Sequence, residues 1–210
     1  MNLPNKLTLS RIILIPFILL FMLPIHIGSW CPTGWNEFIL DKGMIIAAIL
    51  FVIASVTDLV DGKIARKYNL ITNLGKFMDS LADKILVLSV LIALVDLGRI
   101  SSVWVCIIVL REFAVTGIRL LASAKGVVMA AKMIGKIKTV TQMIAITYLM
   151  FETLVIKILD FIGPSSWTVL DITDGVQIVG DVLLLISVAM TVISGMDYLL
   201  KNMNYLRESD

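Results

Sequence analysis

An all-α integral membrane protein, built as a six-transmembrane-helix bundle, is the fold that three features of this 210-residue sequence predict. The chain is 59% hydrophobic and 16% charged, whereas soluble domains run at roughly 45–50% apolar and about 25% charged. Its apolar residues gather into six segments, each near the roughly 20 residues of helix that cross a bilayer. Lys and Arg fall mainly on alternate connections between those segments. The connections are short, so residues 1–210 read as a single membrane domain with no separate soluble part.

The segments are Ser10–Ile27, Gly43–Asp61, Asp79–Gly98, Ser101–Leu121, Lys136–Leu159 and Val176–Leu200. The first has Lys6 and Arg11 at its start, as a signal peptide would. No small-residue cleavage site follows it, and five apolar segments would remain after cleavage, so it reads as a retained span. Pro16 and Pro24 are expected to kink it, which a bundle tolerates where neighbouring helices re-satisfy the backbone. Gly163-Pro164-Ser165-Ser166 marks a turn, and Asp174-Gly175 reads as a turn or cap ahead of the last span. Cys31 and Cys106 fit no metal or redox spacing and read as structural.

Charge placement orients the bundle. One side holds the N-terminus with Lys6 and Arg11, the second connection with Lys63, Arg66, Lys67 and Lys76, the fourth with Lys125 and Lys132, and Lys201 and Arg207 at the C-terminus. The other side has little beyond Lys42 and Arg99. Basic residues stay in the cytoplasm, so a multi-pass protein of the cell membrane with both termini inside is expected. Trp30, Trp35 and Trp167 then fall at the outer interface.

Against this apolar background stands Asp58-Leu-Val-Asp61-Gly62, followed by Gly75, Asp79 and Asp83. Helical residues three or four apart share a face, with Cβ atoms about 5–6 Å apart. Asp58 and Asp61 are thus neighbours, and Gly75, Asp79 and Asp83 form one stripe. Two antiparallel helices joined through Asn69 and Asn73 are expected to bring the pairs together. Clustered carboxylates repel one another unless cations lie among them, and hard oxygen donors suit Mg²⁺ or Mn²⁺. Gly62 and Gly75 leave bare backbone beside the cluster, and Arg66 offers a fork for phosphate oxygens. The plainer alternative is a solvated helix–loop–helix turn, but carboxylates at a membrane edge in such a pattern point to function. The combination reads as a diphosphate site.

The full pattern, Asp58-x-x-Asp61-Gly62-x-x-Ala65-Arg66, eight residues, then Gly75-x-x-x-Asp79-x-x-x-Asp83, resembles the signature of the CDP-alcohol phosphatidyltransferases. The resemblance implies a six-helix bundle with a cytoplasm-facing polar active-site cavity, usually dimeric. It implies that Asp58, Asp61 and Asp79 hold two Mg²⁺ or Mn²⁺ ions with help from Asp83. Asp58, Gly62, Ala65, Arg66 and Gly75 would border the CDP group, and Asp83 would be the catalytic base. A CDP-linked lipid fits the location, because its tails need hydrocarbon while its head needs water and metal.

For the acceptor, the fourth segment contains Arg111-Glu112 and Arg119, the arginines eight apart on one stripe. Arg111 interrupts an apolar run and needs either a polar cavity or a partner, for which Glu112 is the plain choice. Lys125 and Lys132 are accounted for as positive-inside anchors; Lys136 and Lys138, beside Thr139, are less easily so. Together with the arginines they suggest an anionic acceptor. Arg111-Glu112, Gly117-Ile118-Arg119 and Gly135-Lys136-Ile137-Lys138-Thr139 are similar to segments of the phosphatidylglycerophosphate-forming branch of the family, as are Pro4-Asn5-Lys6-Leu7-Thr8 and Arg11. This implies CDP-diacylglycerol and glycerol 3-phosphate as substrates, with Arg111, Arg119, Lys136 and Lys138 near the acceptor phosphate. A cardiolipin or inositol-phosphate lipid synthase shares the aspartate motif. An intramembrane prenyltransferase would be expected to carry acidic clusters in two loops, and a transporter to carry repeats with ionisable groups at the midplane. No nucleic-acid partner is expected.

Overall fold

A computed structural model describes residues 3–26, 32–67, 73–124, 133–162 and 168–202, apart from the side chains of 3–6, 59–67, 73, 74, 76, 124 and 202. These residues are helical almost throughout, with no strand among them. The elements are α1 (Leu3–Met22), α2 (Thr33–Phe38), a π-helical turn (Ile39–Gly43), α3 (Met44–Lys67), α4 (Asn73–Asp96), α5 (Ser102–Ala124), α6 (Met133–Ile162) and α7 (Val169–Asn202).

The polarity of the bundle is inverted relative to a soluble domain. Ile13, Phe17, Ile92, Leu110, Ile144 and Leu185 are exposed, while Arg11, Lys138, Gln142, Glu152, Ser187 and Thr191 are buried. Charged side chains are seldom buried unless paired, and an apolar exterior this extensive suits lipid. Two helical stretches, Thr33–Asp58 and Val169–Lys201, are by themselves long and apolar enough to cross a membrane. α1 packs against both α3 and α4, α6 lies along α7 and against α3, and α5 packs on α7. Ile18, Phe51, Leu91, Leu94, Ile108 and Met150 are completely buried in the core they share.

Several expectations change. The first helix begins and ends earlier than Ser10–Ile27, so Pro16 lies within it but Pro24 lies beyond its end. There the chain is pinned to α2: Asn36 accepts from Ile25 N–H at 2.8 Å and donates to the Ile25 carbonyl at 3.0 Å. Asp174-Gly175 is neither turn nor cap, because α7 starts earlier. Thr168 Oγ1 accepts from Asp171 N–H at 3.2 Å, and the Asp171 carboxylate accepts from Thr168 N–H at 3.1 Å. This reciprocal cap launches the helix at Val169. The turn assigned to Gly163–Ser166 lies outside the described residues, as does Cys31. Cys106 is exposed and unbonded rather than part of a core. Finally, among the described residues α3 and α4 do not pack closely on each other; they are linked through α1, which packs on both.

Candidate active site

Asp58 lies on α3, and Asp79 and Asp83 lie one turn apart near the start of α4. What joins the two helices is Arg11 of α1. Its Nη1 stands 2.5 Å from Asp58 Oδ1 and 3.3 Å from Asp79 Oδ1, and the residue is 0% exposed. An arginine keeps its charge when buried and so needs carboxylates around it. Two carboxylates from separate helices therefore lie within reach of one cation, a hard-oxygen donor set that also fits Mg²⁺ or Mn²⁺. Among the described residues no three acidic or metal-ligating side chains gather into a complete metal cluster. The side chains of Asp61, Gly62, Ala65 and Arg66 lie outside those residues, although their backbone continues α3 to Lys67. Gly75 is partly exposed, one turn ahead of Asp79.

Two cavities meet at Asp83. The larger, about 670 Å³, is walled by apolar side chains of α3, α4 and α6, including Val52, Leu86, Met143 and Phe151, with Asp58 and Asp83 also in its lining. The smaller, about 40 Å³, is a polar recess lined by Asp83, Lys84, Glu112, Lys138 and Gln142. Asp83 belongs to both.

The recess takes its charge from α5 and α6. Glu112 accepts from Arg111 Nη1 at 2.8 Å and also from Lys138 Nζ. Arg111 Nη2 donates to Ser194 Oγ of α7 at 2.6 Å. The bare backbone of Gly195 gives Arg111 its path, since a Cβ there would stand 2.8 Å from Arg111 Cγ. Lys84 Nζ donates to Thr116 Oγ1 at 2.8 Å. Two cations thus share one carboxylate on this side, while on the other Asp58 and Asp79 share one arginine. Asp83 lies in the lining of both cavities, between these two groups of charges.

The four expected acceptor residues divide. Arg111 and Lys138 come together around Glu112, so the pairing of Arg111 with Glu112 anticipated as the plain alternative does form. Arg119 is exposed, its guanidinium 5.4 Å from the Tyr198 ring centroid, and Lys136 is exposed on α6. Arg111 and Arg119 do share a stripe facing α7, through Ser194 and Tyr198. The sequence reading missed Arg11, Lys84 and Gln142 as site residues. Arg11 enters the sequence reading through orientation and the family likeness and not as a site residue, though its place at the edge of an apolar segment is the available signal.

At the opposite end a second charged cluster forms. α4 ends in a turn in which Gly98 takes φ +69, with Gly98 N–H bonded to Val95 O and Arg99 N–H to Leu94 O. A positive φ suits glycine, and the turn delivers Arg99 back onto the bundle. Arg99 donates to both Glu152 oxygens at 2.5 and 2.7 Å, to Asp181 at 2.7 Å and to the Gln177 carbonyl at 3.1 Å. The Glu152 hydrogen bond, the largest influence, holds the Arg99 guanidinium above its ordinary pKa.

A lipid-facing helical bundle, an apolar cavity ending in carboxylates and an adjoining charged recess together suit an enzyme that works on charged lipid heads. The chain belongs to the CDP-alcohol phosphatidyltransferase family, whose model matches residues 1–193. It is 42% identical to a Bacillus subtilis protein named CDP-diacylglycerol–glycerol-3-phosphate 3-phosphatidyltransferase, over 100% of this chain and 99% of the relative. Proteins of the same name from Rickettsia felis, 34% identical over 94% of this chain and 93% of the relative, and Shigella flexneri, 32% identical over the same shares, are also similar.

Proposed function

We propose that the protein transfers the phosphatidyl group of CDP-diacylglycerol to sn-glycerol 3-phosphate, releasing CMP and forming phosphatidylglycerophosphate. The observation that carries this reading is the place of Asp83, which lines both the apolar cavity and the charged recess. A lipid with a diphosphate head suits the first, and the second, at about 40 Å³, suits one polar group of a small anionic alcohol that extends beyond it.

Asp58, Asp61 and Asp79, with help from Asp83, would hold two Mg²⁺ or Mn²⁺ ions, whose charge neutralises the diphosphate and eases the departure of CMP. Gly62, Ala65, Arg66 and Gly75, beside Asp58, would border the CDP group. Asp83 accepts the proton of the acceptor's primary hydroxyl, whose oxygen forms the new bond to the β-phosphorus. The bond from that phosphorus to the bridging oxygen breaks, and CMP leaves with the electron pair. Arg111, Lys138, Arg119 and Lys136 would hold the acceptor phosphate. Arg111 and Lys138 both pair with Glu112 and offer donors for an incoming phosphate.

The alternation of Lys- and Arg-rich connections supports six spans in the cell membrane, with the site and both termini in the cytoplasm. A homodimer is part of the same proposal, on the family resemblance alone. The reading is tested with purified protein, CDP-diacylglycerol, Mg²⁺ and a panel of alcohols, following CMP release. Glycerol 3-phosphate should be used best, and EDTA should stop the reaction. Preference for phosphatidylglycerol would instead indicate a cardiolipin synthase. Cysteines placed near Asn69 and Lys125 should label only from the cytoplasm and one near Ser165 only from outside; labelling of all three from one side would reject the six-span arrangement.

A further inference from the structure

Among the described residues lining the polar recess, Gln142 has a hydrogen-bonding group that its charged neighbours leave unused. Gln142 lies on α6 one turn after Lys138, so the two share a helical face. It is 4% exposed, and its amide nitrogen has no hydrogen-bond partner among the described residues. Buried polar side chains are nearly always paired, so an amide left over at a cavity wall is suited to bond a ligand group. The recess measures about 40 Å³, room for something of the size of a hydroxyl or a water rather than another side chain.

The chemistry of a glycerol phosphate matches the groups in this lining together with Arg111, which is held beside it by Glu112. Its phosphate is served by Lys138 and Arg111, and its reacting primary hydroxyl by Asp83. The middle hydroxyl remains, and it is neutral. A neutral amide suits it better than a charge, since an amide presents both a donor and an acceptor. We propose that Gln142 is a specificity residue that hydrogen-bonds the secondary hydroxyl of the glycerol phosphate acceptor, selecting a polyol phosphate over a simple hydroxyalkyl phosphate. This rests on the acceptor reading above.

The experiment compares sn-glycerol 3-phosphate with 3-hydroxypropyl phosphate, which keeps the phosphate, the chain length and the primary hydroxyl but lacks the middle one. In the wild type kcat/KM should favour glycerol 3-phosphate by on the order of tenfold or more, because a site built to bond a hydroxyl penalises its absence. Gln142→Met should bring the two acceptors to within about twofold, mainly through loss on glycerol 3-phosphate. Its thermal midpoint in detergent should stay level or rise, since an apolar group of similar shape replaces an unpaired polar one. Gln142→Leu provides the same reading should the methionine variant fold poorly. An unchanged acceptor ratio in the variants overturns the proposal. So does a parallel loss on both acceptors with a lowered midpoint, which would make Gln142 structural. A wild type that ignores both phosphates in favour of another alcohol overturns the acceptor reading itself, a result distinguishable from either.

Discussion

Both ends of the bundle bury charge, and they do so in opposite ways. At one end Arg99 spends its guanidinium on Glu152, Asp181 and the Gln177 carbonyl, all within the chain. At the other, Asp58, Asp83, Glu112 and Lys138 line cavities, and the cations and carboxylates are unequally shared. A buried charge satisfied by fixed neighbours stabilises the fold through their placement. A buried charge that borders space is ready to meet a ligand. The comparison predicts that substitutions at the two ends separate stability from activity.

The largest effects should come at the cavity end. Asp83→Asn should lower CMP release by about 10²- to 10⁴-fold, the usual contribution of a positioned base, while CDP-diacylglycerol still binds, somewhat more weakly. Asp58→Asn and Asp79→Asn should be as severe through loss of a charged ligand, and both should also lower the thermal midpoint because each leaves buried Arg11 short of a carboxylate, whereas Asp83→Asn should not. Single-turnover rates and lipid binding, measured separately, distinguish these roles. Loss of binding with an unchanged single-turnover rate would make Asp83 a ligand only.

Glu152→Ala should do the reverse. Glu152 is 5% exposed, and removing one partner of a buried ion pair typically costs about 3–5 kcal/mol. The thermal midpoint should fall steeply while CMP release per folded molecule holds. A variant with normal stability and lost activity would erase the distinction between the ends. Arg99 itself introduces no pH window here. Its pKa is raised in the fold, so its contribution is fully present below the unfolded value and is lost only as pH rises beyond the ordinary arginine range.

The two clusters also differ in how far the sequence revealed them. The aspartates repeat at spacings of three and four, which a helix turns directly into neighbours. Arg99, Glu152 and Asp181 are 53 and 82 residues apart, and no local period connects them. For the same reason Arg11 was legible as a charge but not as the bridge between α3 and α4, 68 residues from Asp79. Helix existence followed from apolar length, whereas helix ends followed from caps such as Thr168 with Asp171, which outweighed the Asp174-Gly175 signal. The unused amide of Gln142 appears only when its neighbours are known.

A pair of glycines on α7 sharpens the comparison at smaller cost. A Cβ on Gly180 would fall on the Glu152 carboxylate, 2.8 Å from Arg99 Nη2, while one on Gly195 would press on Arg111. Overpacking of this kind costs about 1–3 kcal/mol. Gly180→Ala should therefore lower the thermal midpoint with little change in KM. Gly195→Ala should raise KM for glycerol 3-phosphate, because Arg111 has to shift. Equal stability losses with no change in KM would remove Arg111 from the acceptor site.

The smallest effect should come from Arg119. Arg111 is half-buried and hydrogen-bonded, so deleting its contact to a phosphate should cost roughly 1.5–3 kcal/mol, about 10- to 150-fold in KM. Arg119 carries the same charge on the same stripe, but it is exposed and lies over Tyr198. Exposed charges are screened and contribute about 0–1 kcal/mol, so Arg119→Ala should raise KM for glycerol 3-phosphate by no more than about fivefold. Salt separates the two positions. The Arg119 effect should fade at high ionic strength, while the Arg111 effect should persist because its surroundings exclude the screening ions. An Arg119 variant as impaired as Arg111→Ala, and equally so in high salt, would place the acceptor phosphate at the outer arginine and would require the cavity to close around it.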